Sequence, residues 1–541
     1  MDAPVPHLTA NPQGDDGPLD INDPEFDLPR FSHAEIKRVI LGILLCMLMA
    51  AIDQTVVVPA VPAIAADLGG FDHLAWIVAA YLLTSTATTP IYGKLSDVFG
   101  RRALLIPAIV IFVAASCFCA LSQSLMQLIA ARALQGIGGA GLMTMAQSAI
   151  ADVVAPRERG RYQGYMAGTW GVASVLGPIL GGWMTDALSW RWIFWINLPI
   201  GILALVLSNR ALKLLKPRGG NLRIDYAGAA LLTTVITSFL LLMSWGGTQF
   251  AWTAPPMVGL AAAMLGLLAL LVVRERVAPD PLLPPRLFVN GGISSGIAIS
   301  AACSAVIFGA TFLLPLFFQL ARGADAAVSG TMIVPFLGTN VLGAIVSGDL
   351  CRRFGKTRGI MLGGLAPAIL GFVLLASAGP GTSLGLLVAY MALLGLAIGV
   401  CMPASLVTVQ SAAQRRDVGA ATGALLFLRA MGGAFGSTLV GALLTGRFAS
   451  SLAAAGLPAL DLGTLRQEGG LAGLKPAMQQ AARTALANGF HWSFGACAAL
   501  VAVGFVVALV MPDLVLKSGE TTASSPTPGP QAQPVRDQAS G

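Results

Sequence analysis

The sequence predicts an all-α polytopic membrane protein with fourteen transmembrane helices, built as two six-helix halves with two further helices inserted between them. Three observations lead there. Hydrophobic residues make up 55% of the chain and charged residues only 11%, more apolar surface than a soluble core buries. Apolar stretches of about 20 residues, the length that crosses hydrocarbon, recur almost to the end. Basic residues gather in alternate loops, as the positive-inside rule requires of a chain that crosses repeatedly.

The spans of the first half are expected near 38–60, 74–92, 103–121, 126–149, 162–186 and 192–210. Two inserted spans lie near 225–244 and 254–273, and six more near 293–318, 328–349, 359–378, 384–408, 418–446 and 489–511. The organisation is a tail at 1–36, a first half at 37–212, an insert at 213–286, a second half at 287–512 and a tail at 513–541. Both tails are rich in Pro and polar residues and read as disordered. A long outward segment, 447–488, leaves room for a periplasmic partner. One set of loops carries Lys94, Arg101, Arg102, Arg157, Arg159, Arg161, Arg274, Arg276, Arg352, Arg353, Arg415 and Arg416, whereas the opposite loops carry little beyond Arg191 and Arg322. The basic side is therefore expected to be cytoplasmic, with both termini inside a cell (inner or plasma) membrane.

The net charge of +7 is dispersed among short loops, which argues against nucleic-acid binding. The partners expected instead are the bilayer, protons and a small, lipophilic substrate. The seven cysteines fall in or beside spans, so no disulfide is expected. His7, His33, His73 and His491 form no metal-binding spacing, and a phosphate-cradling Gly-rich loop is missing. Neither a metal, a cofactor nor an enzymatic activity is expected; the proton gradient would supply the energy.

Asp53, in AAIDQTVVVPAVP, is the one acid deep inside a span, and an ionisable group in hydrocarbon marks a functional site by default. It sits ~15 residues from the basic end of its helix, roughly 22 Å at 1.5 Å per residue. Arg132, in IAARALQGIGGAG, sits about six residues from the far end of an antiparallel helix, roughly 10 Å down. In a core of ~30 Å the two share a depth and can pair. Such a pair either moves protons or statically ties helices together.

There is an internal repeat. GKLSDVFGRR starts at Gly93 and GDLCRRFGKTR at Gly348; Gly93, Leu95, Phe99 and Gly100 match Gly348, Leu350, Phe354 and Gly355 without a gap. Repeated halves are a building rule of secondary transporters. ASVLGPILGG holds Gly177, Pro178, Gly181 and Gly182, suited to close helix approach. WRWIFWINLPIG reads as an interfacial aromatic belt, and RIDYAG opens the first inserted helix at Asp225.

Together, in this order and over nearly all of the chain outside the tails, these motifs resemble the major facilitator superfamily, in particular its fourteen-helix drug:proton antiporter branch (EmrB/QacA-like). The resemblance implies a major facilitator fold and a proton-coupled exporter of small amphipathic compounds or drugs that works by alternating access. It implies that Asp53 and Arg132 couple protons, and that Gly93, Asp97, Gly100, Arg101 and Arg102 latch the cytoplasmic side. Asp97 would cap the next helix or pair with a base on a neighbouring one, with Arg101 and Arg102 at the lipid surface. Gly348, Arg352 and Gly355 belong to the second copy, in which no Asp stands at the place of Asp97. Gly177 to Gly182 match the antiporter helix signature, with Ala173 where its first Gly belongs.

Arg429, in LLFLRAMGGAFG, is a second buried base, suited equally to a substrate anion or to a structural partner. Gln54, Phe308, Phe312, Gln319 and Phe427 are candidates to line a cavity, although such aromatics also face lipid or neighbouring helices. Alternatives remain: export of one specific metabolite, lipid or siderophore, or a channel or non-transporting sensor on the same fold.

Overall fold

The computed structural model describes residues 33–69, 73–211, 225–247, 249–324, 326–379, 381–455, 457 and 476–516. Among these residues the chain is helical, without strands beyond two isolated bridges. The first half contains α1 (His33–Leu68), α2 (Ala75–Phe99), α3 (Arg101–Leu121), α4 (Leu125–Val153), α5 (Pro156–Ala187), the short α6 (Trp192–Trp195) and α7 (Asn197–Ala211). The insert is the hairpin α8 (Tyr226–Trp245) and α9 (Pro255–Val277). The second half contains α10 (Pro285–Val289), α11 (Gly291–Leu316), α12 (Ala326–Thr331), α13 (Val334–Phe354), α14 (Arg358–Ala376), α15 (Leu384–Ala412), α16 (Val418–Ala454) and α17 (Pro476–Val510).

Eleven helices among the described residues are long and apolar enough to cross a bilayer. α2, α4 and α5 fall below that apolarity. They carry the buried polar residues of the interior, among them Thr89, Asp97, Arg132, Gln135, Arg159 and Gln163.

The packing is two-fold in character. In the first half α1 packs on α5, and α4 on both α2 and α3; in the second, α11 packs on α16, and α15 on both α13 and α14. The halves meet along two seams, α2 with α16 and α5 with α13. These seams are symmetry equivalents, because α2 corresponds to α13 and α5 to α16. The repeat glycines each end their helix at positive φ, Gly100 at 87° and Gly355 at 64°, with different ψ, 154° and 16°.

The inserted hairpin breaks the symmetry. Leu232, Val235, Ile236, Leu271 and Leu282 pack with Ala87 of α2 and Phe427 of α16, so the hairpin lies along that seam. Thr438 of α16 also donates to the Met243 carbonyl at 3.1 Å.

Several expected boundaries move. α1 starts at His33, inside the expected tail 1–36, whose earlier part lies outside the described residues. The segment 447–488 begins and ends in helix. Phe448 and Leu452 of α16 share a buried core with Leu486 and Phe490 of α17, so helix continues where hydropathy alone stops it; 456 and 458–475 lie outside the described residues. Residues 513–516 of the expected second tail dock on the second repeat loop through Leu516 N to Gly355 O (2.7 Å) and Lys356 to Asp513 (2.9 Å), and the remainder lies outside the described residues. The span expected at 192–210 breaks at Ile196, and the one at 328–349 breaks just before Pro335, a proline at a helix start.

Candidate functional site

Asp53 is fully buried, and five helices supply its surroundings. Arg132 Nη1 of α4 donates to Asp53 Oδ2 at 2.6 Å. Gln135 Nε2, one turn further along α4, donates to Oδ1 at 2.8 Å, and Asn197 Nδ2, the first residue of α7, donates to the same oxygen at 2.9 Å. Arg132 is itself held: Nη1 reaches Gln135 Oε1 at 2.7 Å and Nε the Ile77 carbonyl of α2 at 3.2 Å. Its guanidinium lies 4.5 Å from the centroid of the Tyr81 ring. Ser116 of α3 accepts from Asn197 and donates to the Phe194 carbonyl, each at 2.9 Å. A carboxylate out of water is costly unless it is paired and hydrogen-bonded, and here Arg132, Gln135 and Asn197 do both. Protonating Asp53 would remove the negative member of the pair and weaken the bonds donated to its carboxylate.

The glycine signature of α5 sets the approach to α1 just beyond Asp53. A Cβ on Gly177 would overlap the Thr55 side chain, and one on Gly181 the Val56 carbonyl. Thr55 Oγ1 donates to Ala173 O at 2.9 Å. Gly182 meets nothing within 4 Å, and Pro178 is exposed. Two of the four signature residues therefore make the contact.

Both seams are closed at the end that carries the basic loops. In the first, Gly93 and Gly419 are in backbone contact, with no room for a Cβ on either. Asp97 Oδ1 accepts from Gly419 N at 2.9 Å and Oδ2 from Ala420 N at 2.8 Å. These are first-turn N–H groups of α16, which have no partner within their own helix. A carboxylate placed there satisfies two donors and meets the positive end of the helix dipole. Arg101 pairs with Asp97 (2.9 Å) and with Asp152 of α4 (2.7 Å), and also contacts Ser96. Asp97 thus caps a helix of the other half rather than the next one. Arg101, only 3% exposed, is not at the lipid surface, because the Asp152 carboxylate holds it inside. Arg102 bonds Asn209 Oδ1 at 2.9 and 2.7 Å.

In the second seam Gly348 and Gly160 make the equivalent backbone contact. Here Arg157 of α5 donates to the carbonyls of Arg352 (2.6 Å) and Arg353 (3.3 Å) at the end of α13. The Arg352 side chain turns away to Asp349, on the surface.

The cavity candidates do not converge. Arg429 Nε donates to Ser300 Oγ at 2.8 Å and Nη2 reaches Met402 O at 3.4 Å, so its described partners are neutral. Phe308, 56% exposed, lies over Gly433, and Phe312 faces Gly441, both along the α11–α16 contact. Phe427 is only 6% exposed and packs under the inserted hairpin. Gln319 sits in the π-helical turn Phe317–Ala321 and bonds Ser329 at 2.7 Å. Gln54 is half-buried beside Asp53.

Residues 43–437 match the profile of the Major Facilitator Superfamily. The chain belongs to this superfamily. It is therefore a membrane transporter and not an enzyme. It is 37% identical over 406 residues to the multidrug transporter protein MdtP of Bacillus subtilis, covering 74% of each chain. It is 35% identical to the MFS-type efflux pump LUC4 of a Fusarium species, over 79% of this chain and 78% of that one. Among solved structures it matches the proton:xylose symporter XylE with a TM-score of 0.57 at 17% identity, covering 89% of this chain and 97% of the other, a likeness of fold.

Three members of the superfamily chain's central network escape a sequence reading. Gln135 and Asn197 are neutral amides, and Ser116 is one serine among several. Gln135 alone carried a signal, lying three residues after Arg132 and hence on the same helix face. Asn197 lies in WRWIFWINLPIG, whose aromatics dominate the reading and conceal the one polar residue that turns inward.

Proposed function

We propose that this transporter is a proton-coupled antiporter of the fourteen-helix drug:proton branch, exporting small amphipathic compounds across the plasma membrane with both termini cytoplasmic. Fourteen spans follow if α2, α4 and α5, polar toward the interior, cross beside the eleven apolar helices. The observation that carries the proposal is Asp53, a buried carboxylate that is paired with Arg132 and ringed by further donors. The names of the relatives, multidrug transporters and efflux pumps, support export.

The cycle runs as follows. With the seams closed on the cytoplasmic side, a proton from outside neutralises Asp53, loosens its hold on Arg132, and substrate leaves. The halves then rock, the Asp97 cap and the Arg157 contact open, and the proton departs inward as new substrate binds. Competition between proton and substrate for one state of Asp53 provides the coupling. No cofactor beyond the gradient is needed. Arg429, with neutral partners, favours a second reading: export of a specific metabolite, lipid or siderophore that carries an anionic group.

Efflux of a lipophilic cation dye from proteoliposomes, with and without an imposed proton gradient, tests the proposal. Wild-type protein is expected to respond to the gradient and Asp53→Asn to ignore it. A gradient response that survives in the variant refutes it.

A further inference from the structure

Every described hydrogen-bond partner of the Asp53 carboxylate is a donor: Arg132, Gln135 and Asn197. This suits the ionised acid. A neutral acid carries an O–H that needs an acceptor, and a buried O–H without one is costly. One neighbour must therefore change its role when the proton arrives. Arg132 has no acceptor to offer. Gln135 is pinned, because its Oε1 already accepts from Arg132 at 2.7 Å and from Cys119 at 3.6 Å. The Tyr81 hydroxyl is also buried without a hydrogen-bond partner, but it packs against Gly139 and makes no described bond to Asp53. Asn197 differs in that it already touches the carboxylate. Its Nδ2 serves Asp53 and Ser116, while its Oδ1 is buried and has no hydrogen-bond partner.

We propose that the Asn197 side-chain amide turns over when Asp53 is protonated, so that its Oδ1 becomes the acceptor for the new O–H. The proposal rests on the proton-coupling role of Asp53 given above. The proton, taken from water, adds to Asp53 Oδ1 and removes one negative charge; the oxygen keeps a lone pair for Gln135 Nε2. The turn is a rotation about a terminal torsion with two broad, nearly equivalent minima. It takes Nδ2 away from Ser116, which then directs its hydroxyl at the turned Oδ1 and gives up the Phe194 carbonyl. α3 then holds the α6–α7 corner by one bond, Ser116 to Asn197, instead of two, so a proton bound on α1 is felt on α7. Asn197 is in this sense a positioning residue for proton coupling. The titratable groups facing Asp53 are Arg132 from α4, Tyr81 from α2 and Cys119 from α3. α5 meets this stretch of α1 with Ala173 and Gly177, and the α6–α7 corner meets it with Phe194 and Asn197.

Two measurements test this. In the first, proton uptake by the purified full chain is titrated and the uptake of Asp53→Asn subtracted. Gln135→Leu removes a donor that holds the ionised acid more strongly than the neutral one, so its uptake midpoint should rise by about one pH unit, a tenfold gain in proton affinity. Asn197→Leu removes a group that serves both states, so its midpoint should stay within about half a unit of wild type. A rise in Asn197→Leu equal to that in Gln135→Leu overturns the proposal. In the second, wild-type protein carrying carbonyl-labelled asparagine is followed by infrared difference spectroscopy across the titration, which needs no substitution to fold. A shifted asparagine amide band that vanishes in Asp53→Asn is expected, and its absence overturns the proposal. If Asp53→Asn takes up as many protons as wild type, the coupling role of Asp53 fails, and the proposal with it.

Discussion

The two seams between the halves are symmetry mates held by opposite chemistry. At α2–α16 a carboxylate, Asp97, sits on the N-terminus of a helix from the other half. At α5–α13 a cation, Arg157, sits on the carbonyls that end a helix of the other half. Both arrangements satisfy helix-end groups that lack partners and both suit the dipole they face, one at its positive pole and one at its negative. The second repeat therefore does not simply lack an acid. With Arg352 at the place of Asp97, the charged partner comes from α5 rather than from the repeat loop, and the seam closes with reversed polarity.

The largest effect should come from the glycines that both seams share. Gly93→Leu and Gly348→Leu each put a side chain where a backbone of the other half lies, so neither seam should close and transport should fall to background in both. Cross-linking of cysteine pairs introduced across the seam checks this, and retained closure in either variant would break the equivalence. Asp97→Ala comes next. It removes two charge-assisted caps and one of the two acidic partners of Arg101, about 2 kcal/mol or roughly thirtyfold in the closed population. Arg157→Ala, near the surface, should cost only two- to fivefold by the same assay. Arg352→Ala should do almost nothing, because only its backbone carbonyl is used and its side-chain pair with Asp349 is exposed. An Arg352→Ala effect as large as that of Asp97→Ala would mean that the two loops latch in the same way after all.

A smaller, pH-dependent difference concerns the hairpin that lies along the first seam. Asp225 caps α8 and pairs with Arg274 of α9, which holds its carboxyl below the usual aspartate range. A carboxyl with a lowered folded value stabilises above its unfolded value, near 3.9, and that contribution is lost as pH falls through the folded value. Protease sensitivity of the hairpin should therefore rise on acidification below about pH 4 in wild type, and change less in Asp225→Asn.

Arg132 and Arg429 extend the contrast between the halves. Arg132 faces a carboxylate and Arg429 faces neutral groups. Arg132→Leu leaves an unpaired buried charge and should cost about 3–5 kcal/mol in a thermal unfolding measurement. Arg429→Leu strands no charge and should be nearly neutral.

What the sequence made legible follows from which physics is local. Hydropathy located the helices, and helix rise alone put Asp53 and Arg132 at one depth, where their side chains are in contact. The seam partners were not legible. Nothing near Asp97 in sequence points to Gly419 and Ala420, and nothing near Arg101 points to Asp152, since both pairings depend on how helices from distant parts of the chain come together. Hydropathy also cut α16 and α17 short, because the burial of Phe448 against Phe490 is tertiary. The packing of Phe427 under the inserted hairpin was hidden for the same reason: hydropathy does not say which helices the hairpin lies against.

Coupling through Asp53 is tested most directly by comparing substrate exchange with gradient-driven accumulation in the same proteoliposomes, for wild type and Asp53→Asn. Exchange needs only that the halves rock with substrate bound, whereas accumulation needs the proton. The variant should exchange substrate at close to the wild-type rate and accumulate none against a gradient; accumulation at the wild-type level would contradict coupling at this carboxylate.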